Sequence, residues 1–161
     1  MIPAEFPKIT FDPKFFRDIA AIDAAIDLLG RELGDFREPL HAALELVIIP
    51  SIRTNFNVGG RPKWRKLSEP YATYRLPKPI LVQTGNLKAA ATSMANWSIT
   101  RDSAVMTGVD SVRYAGYHQT GTWKMPARPF AELQPEDVEH IVQIFEIWID
   151  GLIDKHWSEG G

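Results

Sequence analysis

Cysteine is absent from this chain of 161 residues. Disulfides, thiolate nucleophiles and cysteine metal sites are thereby excluded, and the gap fits folding in a reducing compartment. Long apolar runs are missing as well; none approaches the ~20 residues that a membrane-spanning helix needs. The opening MIPAEFPKITFDPK lacks the basic-then-apolar order of a secretory signal, so a soluble product with no membrane partner, assembled in the cytoplasm, is expected. Histidine is scarce, with 4 in all. His41, His140 and His156 fall in separate helical stretches, outside any HExxH or carboxylate-flanked pattern that would suggest zinc. No serine sits in a GxSxG turn, and neither Gly59-Gly60 nor Gly85 leads into the GK[ST] of a phosphate-binding loop. No cofactor is expected.

What is present is an ordinary globular composition, 45% hydrophobic and 24% charged, long enough for one domain with a real core. The net charge of −2 hides an uneven distribution. Between Arg53 and Lys78 there are 7 basic residues (Arg53, Arg61, Lys63, Arg65, Lys66, Arg75, Lys78) against 1 acid, Glu69. From Glu132 onward there are 8 acids against 1 base, Lys155. Such polarity suits head-to-tail self-association or an acidic partner; a solvated loop and a solvated helix face account for it equally well.

The periodicity predicts a helix over 12–34, opened by Asp12 as N-cap and Pro13 at the first position. Phe15, Phe16, Ile19, Ile22, Ile26 and Leu29 form its stripe. A second helix is predicted over 35–56, with Pro50 expected to kink or end it. Residues 57–79, rich in Gly, Pro and cations, read as a long basic loop. Trp64 inside it anchors by packing or stacks on a base. Ile80–Val82 reads as a short strand, Thr84-Gly85 as a turn, and Leu87–Met94 as a short helix. Trp97–Thr100 and Ala104–Val109 read as a hairpin around 101–103. A helix over 135–157 starts at Pro135, with acids at its positive end. Terminal helices around a small antiparallel sheet make the class α+β, in a single domain.

The stretch YAGYHQTGTWKMPARPF (114–130) concentrates polar and aromatic groups. His118 is the one candidate for proton transfer, and it has no evident partner in the sequence. Architecture is the alternative: Tyr114 and Ala115 end a strand, Gly116 and Gly121 permit a turn, and His118 and Gln119 tie that turn down by hydrogen bonds. Pro126 and Pro129 stiffen the exit. Arg128 is then held outward for a bidentate carboxylate bond, and Phe130 anchors the segment in the core.

Several of these pieces, in order, resemble the Mu-like phage virion morphogenesis proteins, which include tail completion proteins of contractile-tailed phages. The residues are IRTNF (52–56), GRPKW (60–64), Leu67-Ser68, LVQTGNL (81–87), YAGYHQTG (114–121) and PARPF (126–130), followed by the acidic start of the final helix. The segment SEPYATYRLPKP departs from the family, being shorter and richer in proline. The resemblance implies a structural, non-enzymatic protein of the phage neck or tail top. It would complete the tail or let it join the head, as a ring-forming homo-oligomer, a hexamer. Its further partners would be other neck proteins, tail tube or sheath proteins, with a passing contact with phage DNA. A ring needs a heterologous interface. Arg53, Arg61, Lys63, Trp64, Arg65, Lys66 and Arg128 are the candidates on one side and the acidic final helix on the other. Thr84, Gly85, Tyr114, His118, Gln119, Gly121, Pro126, Pro129 and Phe130 are read as structural. Two other functions remain open: a nucleic-acid-binding module using the basic segment 53–78, and a hydrolase using His118.

Overall fold

The computed structural model describes residues 9–10, 33–74 and 77–158. The body of the helix expected over 12–34 lies outside them. The architecture is α+β: helices pack on one small antiparallel sheet of strand order β1-β3-β2, with β1 at Ile9–Thr10, β2 at Trp97–Ile99 and β3 at Ser103–Met106. Trp97 pairs with Met106 and Ile99 with Ala104, while Ile9 faces Ala104 from the other edge. The hairpin was legible from its apolar runs. Strand β1 was not, because two residues carry no alternation to read.

The backbone of the core is one long helical stretch. Helix α1 (Arg37–Ala43) runs into a π turn (Leu44–Ile48) and then into α2 (Ile49–Val58). Pro50 neither ends nor breaks it. It sits at the first positions of the segment that follows the π turn, where a missing N–H and a fixed φ are tolerated. The π turn also serves the stripe. Leu40, Leu44, Ile48, Ile52 and Phe56 recur at every fourth residue and are all essentially fully buried. A strict four-residue repeat drifts around a helix of 3.6 residues per turn. A wider π turn takes up more residues per turn and counters that drift.

Gly59 closes α2 in the left-handed conformation (φ 78°), as a glycine C-cap should. Within the expected loop, a short helix α3 (Glu69–Tyr74) forms, with no buried residue. Ile80–Val82 is a turn rather than a strand: Val82 N–H donates to the Pro79 carbonyl at 3.1 Å and Leu81 takes a positive φ of 63°. Helix α4 (Asn86–Thr92) follows Gly85, whose φ is 82°.

The segment 114–121 is helix α5 (Ala115–Thr120), terminated by Gly121 at φ 75°. The expected strand end and turn are therefore replaced by a helix turn and its stop. Tyr114 and two glycines hide a helix this short from pattern reading. The last helix, α6 (Pro135–Ser158), packs against α1. It buries Ile141, Phe145 and Ile149, and Phe36 sits against its Phe145 and Trp148 rings at 6.1 and 5.8 Å. Among the described residues no helix is long and apolar enough to cross a membrane.

Candidate functional site

The motifs scattered through the sequence meet at one junction. Its centre is Asn55, on α2 and fully buried. Its amide nitrogen donates to the carbonyls of Phe130 and Glu132, both at 2.9 Å, and its amide oxygen accepts from Arg61 Nε at 2.8 Å. Its own carbonyl accepts the N–H groups of Gly59 and Gly60. One residue thus fastens the exit of α2, the basic segment and the extended PARPF segment.

Arg61 carries the network onward. Its Nη2 donates to the Ser51 carbonyl at 2.9 Å and to Ser51 Oγ at 2.5 Å. Ser51 Oγ in turn donates to Asp137 Oδ2 at 2.5 Å, and Arg61 lies 3.8 Å from the same carboxylate. Asp137 Oδ2 also accepts the N–H of Gln134 at 2.8 Å, the return half of a capping box at the start of α6. Gln134 Nε2 donates to the Arg61 carbonyl at 2.7 Å. The acid expected only to complement the helix dipole therefore bonds two other elements. The Arg61–Pro62 peptide is cis.

Trp64 is buried, and its indole N–H donates to the Pro129 carbonyl at 3.0 Å. Its ring meets Phe56 edge-on at 5.9 Å, and Phe56 stacks obliquely on Phe130 at 5.5 Å. Packing is the role of Trp64, because a ring so enclosed has no face free for a base. Gly60 has a structural reason: a Cβ there would lie 2.4 Å from the Trp64 ring.

Arg128 corrects an expectation. It is buried, not held outward for a carboxylate, and donates from Nε to the Arg65 carbonyl at 3.0 Å and from Nη2 to the Lys66 carbonyl at 3.3 Å. The two prolines stiffen its backbone, but the segment runs along the core and turns this side chain under the basic stretch. Gln119 does act as a tie: its Oε1 accepts from Phe130 N–H and Ala131 N–H at 3.1 and 3.2 Å. His118 ties through its main chain instead, its carbonyl accepting Arg128 N–H at 2.7 Å. The His118 Nδ1 is buried without a hydrogen-bond partner. Burial, and then the nearby Arg128 charge, push the His118 pKa below its ordinary value, so the ring is held neutral.

Beside this junction lies an open hollow of about 1090 Å³. Its walls come from the basic segment (Arg65 to Glu69, and Tyr71), the 80–84 turn, Tyr114 and His118 of the α5 region, and the 124–128 stretch. Arg65, Lys66, Lys124 and Arg128 against Glu69 make it electropositive. Ser68, Glu69 and His118 share its walls, yet the unpartnered Nδ1 means that no nucleophile-and-base pair is joined to that nitrogen. Among the described residues no group of three or more His, Asp and Glu is placed to hold a metal ion.

Of the proposed interface residues, Arg53, Lys63, Arg65 and Lys66 are exposed, whereas Arg61, Trp64 and Arg128 are spent on internal bonds. Thr84 Oγ1 accepts from Asn86 N–H at 3.4 Å, at the turn preceding α4. Asn55, Ser51 and Asp137 were missed by sequence reasoning. A signal was available for two of them: Ser51 and Asn55 flank the stripe of Ile48, Ile52 and Phe56, where polar side chains are costly unless bonded.

The opposite pole is α6. Glu136, Glu139, Glu146, Asp150 and Asp154 are exposed, and at 3.6 residues per turn they fall within about a quarter of the helix circumference.

No family model matches the chain, and no solved structure matches it. Among curated proteins it is similar to the "Mu-like prophage FluMu G protein 2" of Haemophilus influenzae. The two are 32% identical over 139 residues, which covers 82% of this chain and 91% of that relative.

Proposed function

Since the chain belongs to the Mu-like phage protein family of that Haemophilus relative, we propose that it is a structural protein of the virion. It acts at the neck or tail top, completing the tail and allowing it to join the head. The observation that carries the reading is the junction itself. The polar side chains of the junction (Asn55, Arg61, Gln119, Arg128, Asp137) are each engaged with backbone or with one another, which is the work of architecture. The protein assembles as a ring, a hexamer by the family resemblance, in the host cytoplasm, and meets other neck, tube or sheath proteins.

The heterologous contact of the ring joins the exposed cations Arg53, Lys63, Arg65 and Lys66 of one copy to the acidic face of α6 on the next. Arg61 is not part of it, being bonded internally to Asn55 and Ser51. The test is deletion of the gene from a phage or prophage that carries it, with electron microscopy of the lysate. Full heads apart from tails, or tails of abnormal length, are expected. Complementation should fail with Lys63→Glu, Arg65→Glu and Lys66→Glu combined. Normal virions from the deletion would end this reading.

One observation favours a second reading. Tyr71, 51% exposed, lines the hollow with Arg65 and Lys66, and Tyr74 on the same short helix is 91% exposed, an aromatic-and-basic surface of the kind that binds single-stranded nucleic acid. DNA binding that weakens steeply with salt would support it.

A further inference from the structure

The hollow beside the junction has a wall whose charges are held from beneath. Arg128, 4% exposed, donates to the carbonyls of Arg65 and Lys66 at 3.0 and 3.3 Å. Those bonds fix the main chain of both residues, while their side chains stay exposed. Both residues stand on the wall of the hollow, where Lys124 joins them. Among the described residues of the walls Glu69 is the one acid, and none of these three cations makes an ion pair. Cations left unneutralised around a concave space draw anions into it. Because the backbone beneath Arg65 and Lys66 is already fixed, less freedom is lost when an anion arrives.

The rest of the lining is largely aromatic and apolar. Tyr114 and His118 border the hollow, and their rings meet edge-on at 5.6 Å. His118 is held neutral by burial and by Arg128, so the pair contributes ring surface without charge. Tyr71 borders the hollow from α3, a helix in which no residue is buried. A helix this short has little stability of its own, so a group laid over its exposed ring would help to hold it. Ile80 and Leu81, half-buried against the core, add apolar surface. Cations set among ring faces suit a single-stranded nucleic acid, whose phosphates meet the cations and whose unpaired bases meet the rings. An acidic peptide would satisfy the cations but brings no flat group for the rings. The hollow is open, at about 1090 Å³. It would cover a free nucleotide only in part, whereas a strand gains further contacts at its neighbouring units.

We propose that this hollow seats a nucleotide unit of a single-stranded nucleic acid, with its flanking phosphates on Arg65, Lys66 and Lys124 and its base against the Tyr71 or Tyr114 ring. The seat rests on the second reading above. It moves the centre of binding from the exposed Tyr74, which is not on the walls, into the hollow, where Tyr114 and Lys124 become the deciding residues. Neither of those two belongs to the contact between copies. Arg53 and Lys63, which do, are not on the walls either, so the two surfaces share only Arg65 and Lys66.

The probe is a fluorescein-labelled oligothymidylate, titrated with the full chain and followed by anisotropy across a salt series. With three phosphates neutralised, the logarithm of the binding constant should fall against the logarithm of salt with a slope of about −2. Lys124→Gln alters an exposed side chain. It should leave thermal unfolding unchanged and make the slope shallower by about 0.7. Tyr114→Ala should weaken binding about 5-fold or more, the loss of one stacked base. Wild-type binding that is unchanged in either variant but lost in Tyr74→Ala overturns the seat and leaves the surface reading standing. A wild-type chain that binds no oligonucleotide even at low salt overturns both. Two competitors separate the remaining occupants. Thymidine monophosphate that displaces the probe as well as unlabelled strand does, unit for unit, would overturn the strand as the source of the nucleotide. Poly-glutamate that displaces it equally from wild type and from Tyr114→Ala would make this a site for acidic protein segments, and would overturn the proposal.

Discussion

Replacing Asn55 by alanine tests the junction at its centre. The substitution strands three groups at once: the Phe130 carbonyl, the Glu132 carbonyl and Arg61 Nε, all now bonded to the Asn55 amide at 2.8 to 2.9 Å. The Phe130 carbonyl is buried and should cost the full penalty of an orphaned acceptor, about 1–3 kcal/mol. The other two lie in partly buried surroundings, where water can relieve them, and should cost about 1 kcal/mol each. The sum is roughly 3–5 kcal/mol, a large share of the ~5–15 kcal/mol that holds a domain together. For a chain of this size it corresponds to a fall in melting temperature of about 6–20 °C. Urea unfolding should show a lowered midpoint at constant m-value. The control is Asn57→Ala. Asn57 sits on the same helix but is exposed, its amide oxygen accepting only from Lys88 Nζ, and its loss should stay within ~0.5 kcal/mol. A destabilisation of less than about 1 kcal/mol for Asn55→Ala would refute the claim that this amide knits the motifs together.

Two further outcomes follow from the same geometry. Gly60→Ala places a Cβ 2.4 Å from the Trp64 ring and 2.7 Å from the Pro62 carbonyl at a φ of +91°. It should cost about 2–4 kcal/mol by thermal or urea unfolding. Gly85→Ala, at φ +82° with nothing within 4 Å, should cost only the backbone strain of about 1–2 kcal/mol; equal losses at the two sites would count against a steric role for Trp64. His118 is held neutral by burial and by Arg128. Its unfolded form binds a proton below its ordinary pKa of ~6.5 while the folded form resists. Stability should therefore fall as pH drops through 6.5 toward the lowered folded value. His118→Gln should remove that part of the slope in pH-dependent unfolding; an identical slope in the variant would show that other groups carry it.

Part of the junction was legible as motifs, while the roles of Ser51, Asn55 and Asp137 and the partners of nearly every member were not. IRTNF, GRPKW, YAGYHQTG and PARPF could be marked as a set, and Phe130 could be named as an anchor. That Trp64 packs rather than stacks, and that Arg128 turns inward, depends on what the chain lays over them. Arg128 shows the reason. Prolines on both sides stiffen its backbone locally, yet the inward turn is set by the Arg65 and Lys66 carbonyls, more than sixty residues away. Pro50 shows the same limit in a helix: an isolated rule predicts a break, and the preceding π turn removes the conflict.

By itself the sequence determined the α+β class, the central helix, the hairpin, the start of α6 at Pro135 and the separation of basic and acidic regions. These depend on composition and on local periodicity, which neighbouring residues along the chain set between them. The tertiary structure alone decided which charges face solvent. Arg61 and Asp137 look like members of the two opposing patches, but Ser51 and Asn55 engage them in internal bonds. Lys63, Arg65 and Lys66, a few positions along, stay outside. Burial is a property of residues brought together from distant parts of the chain. No window of sequence contains it, and for that reason the boundary between what holds this fold and what its surface offers to a partner could be drawn only in three dimensions.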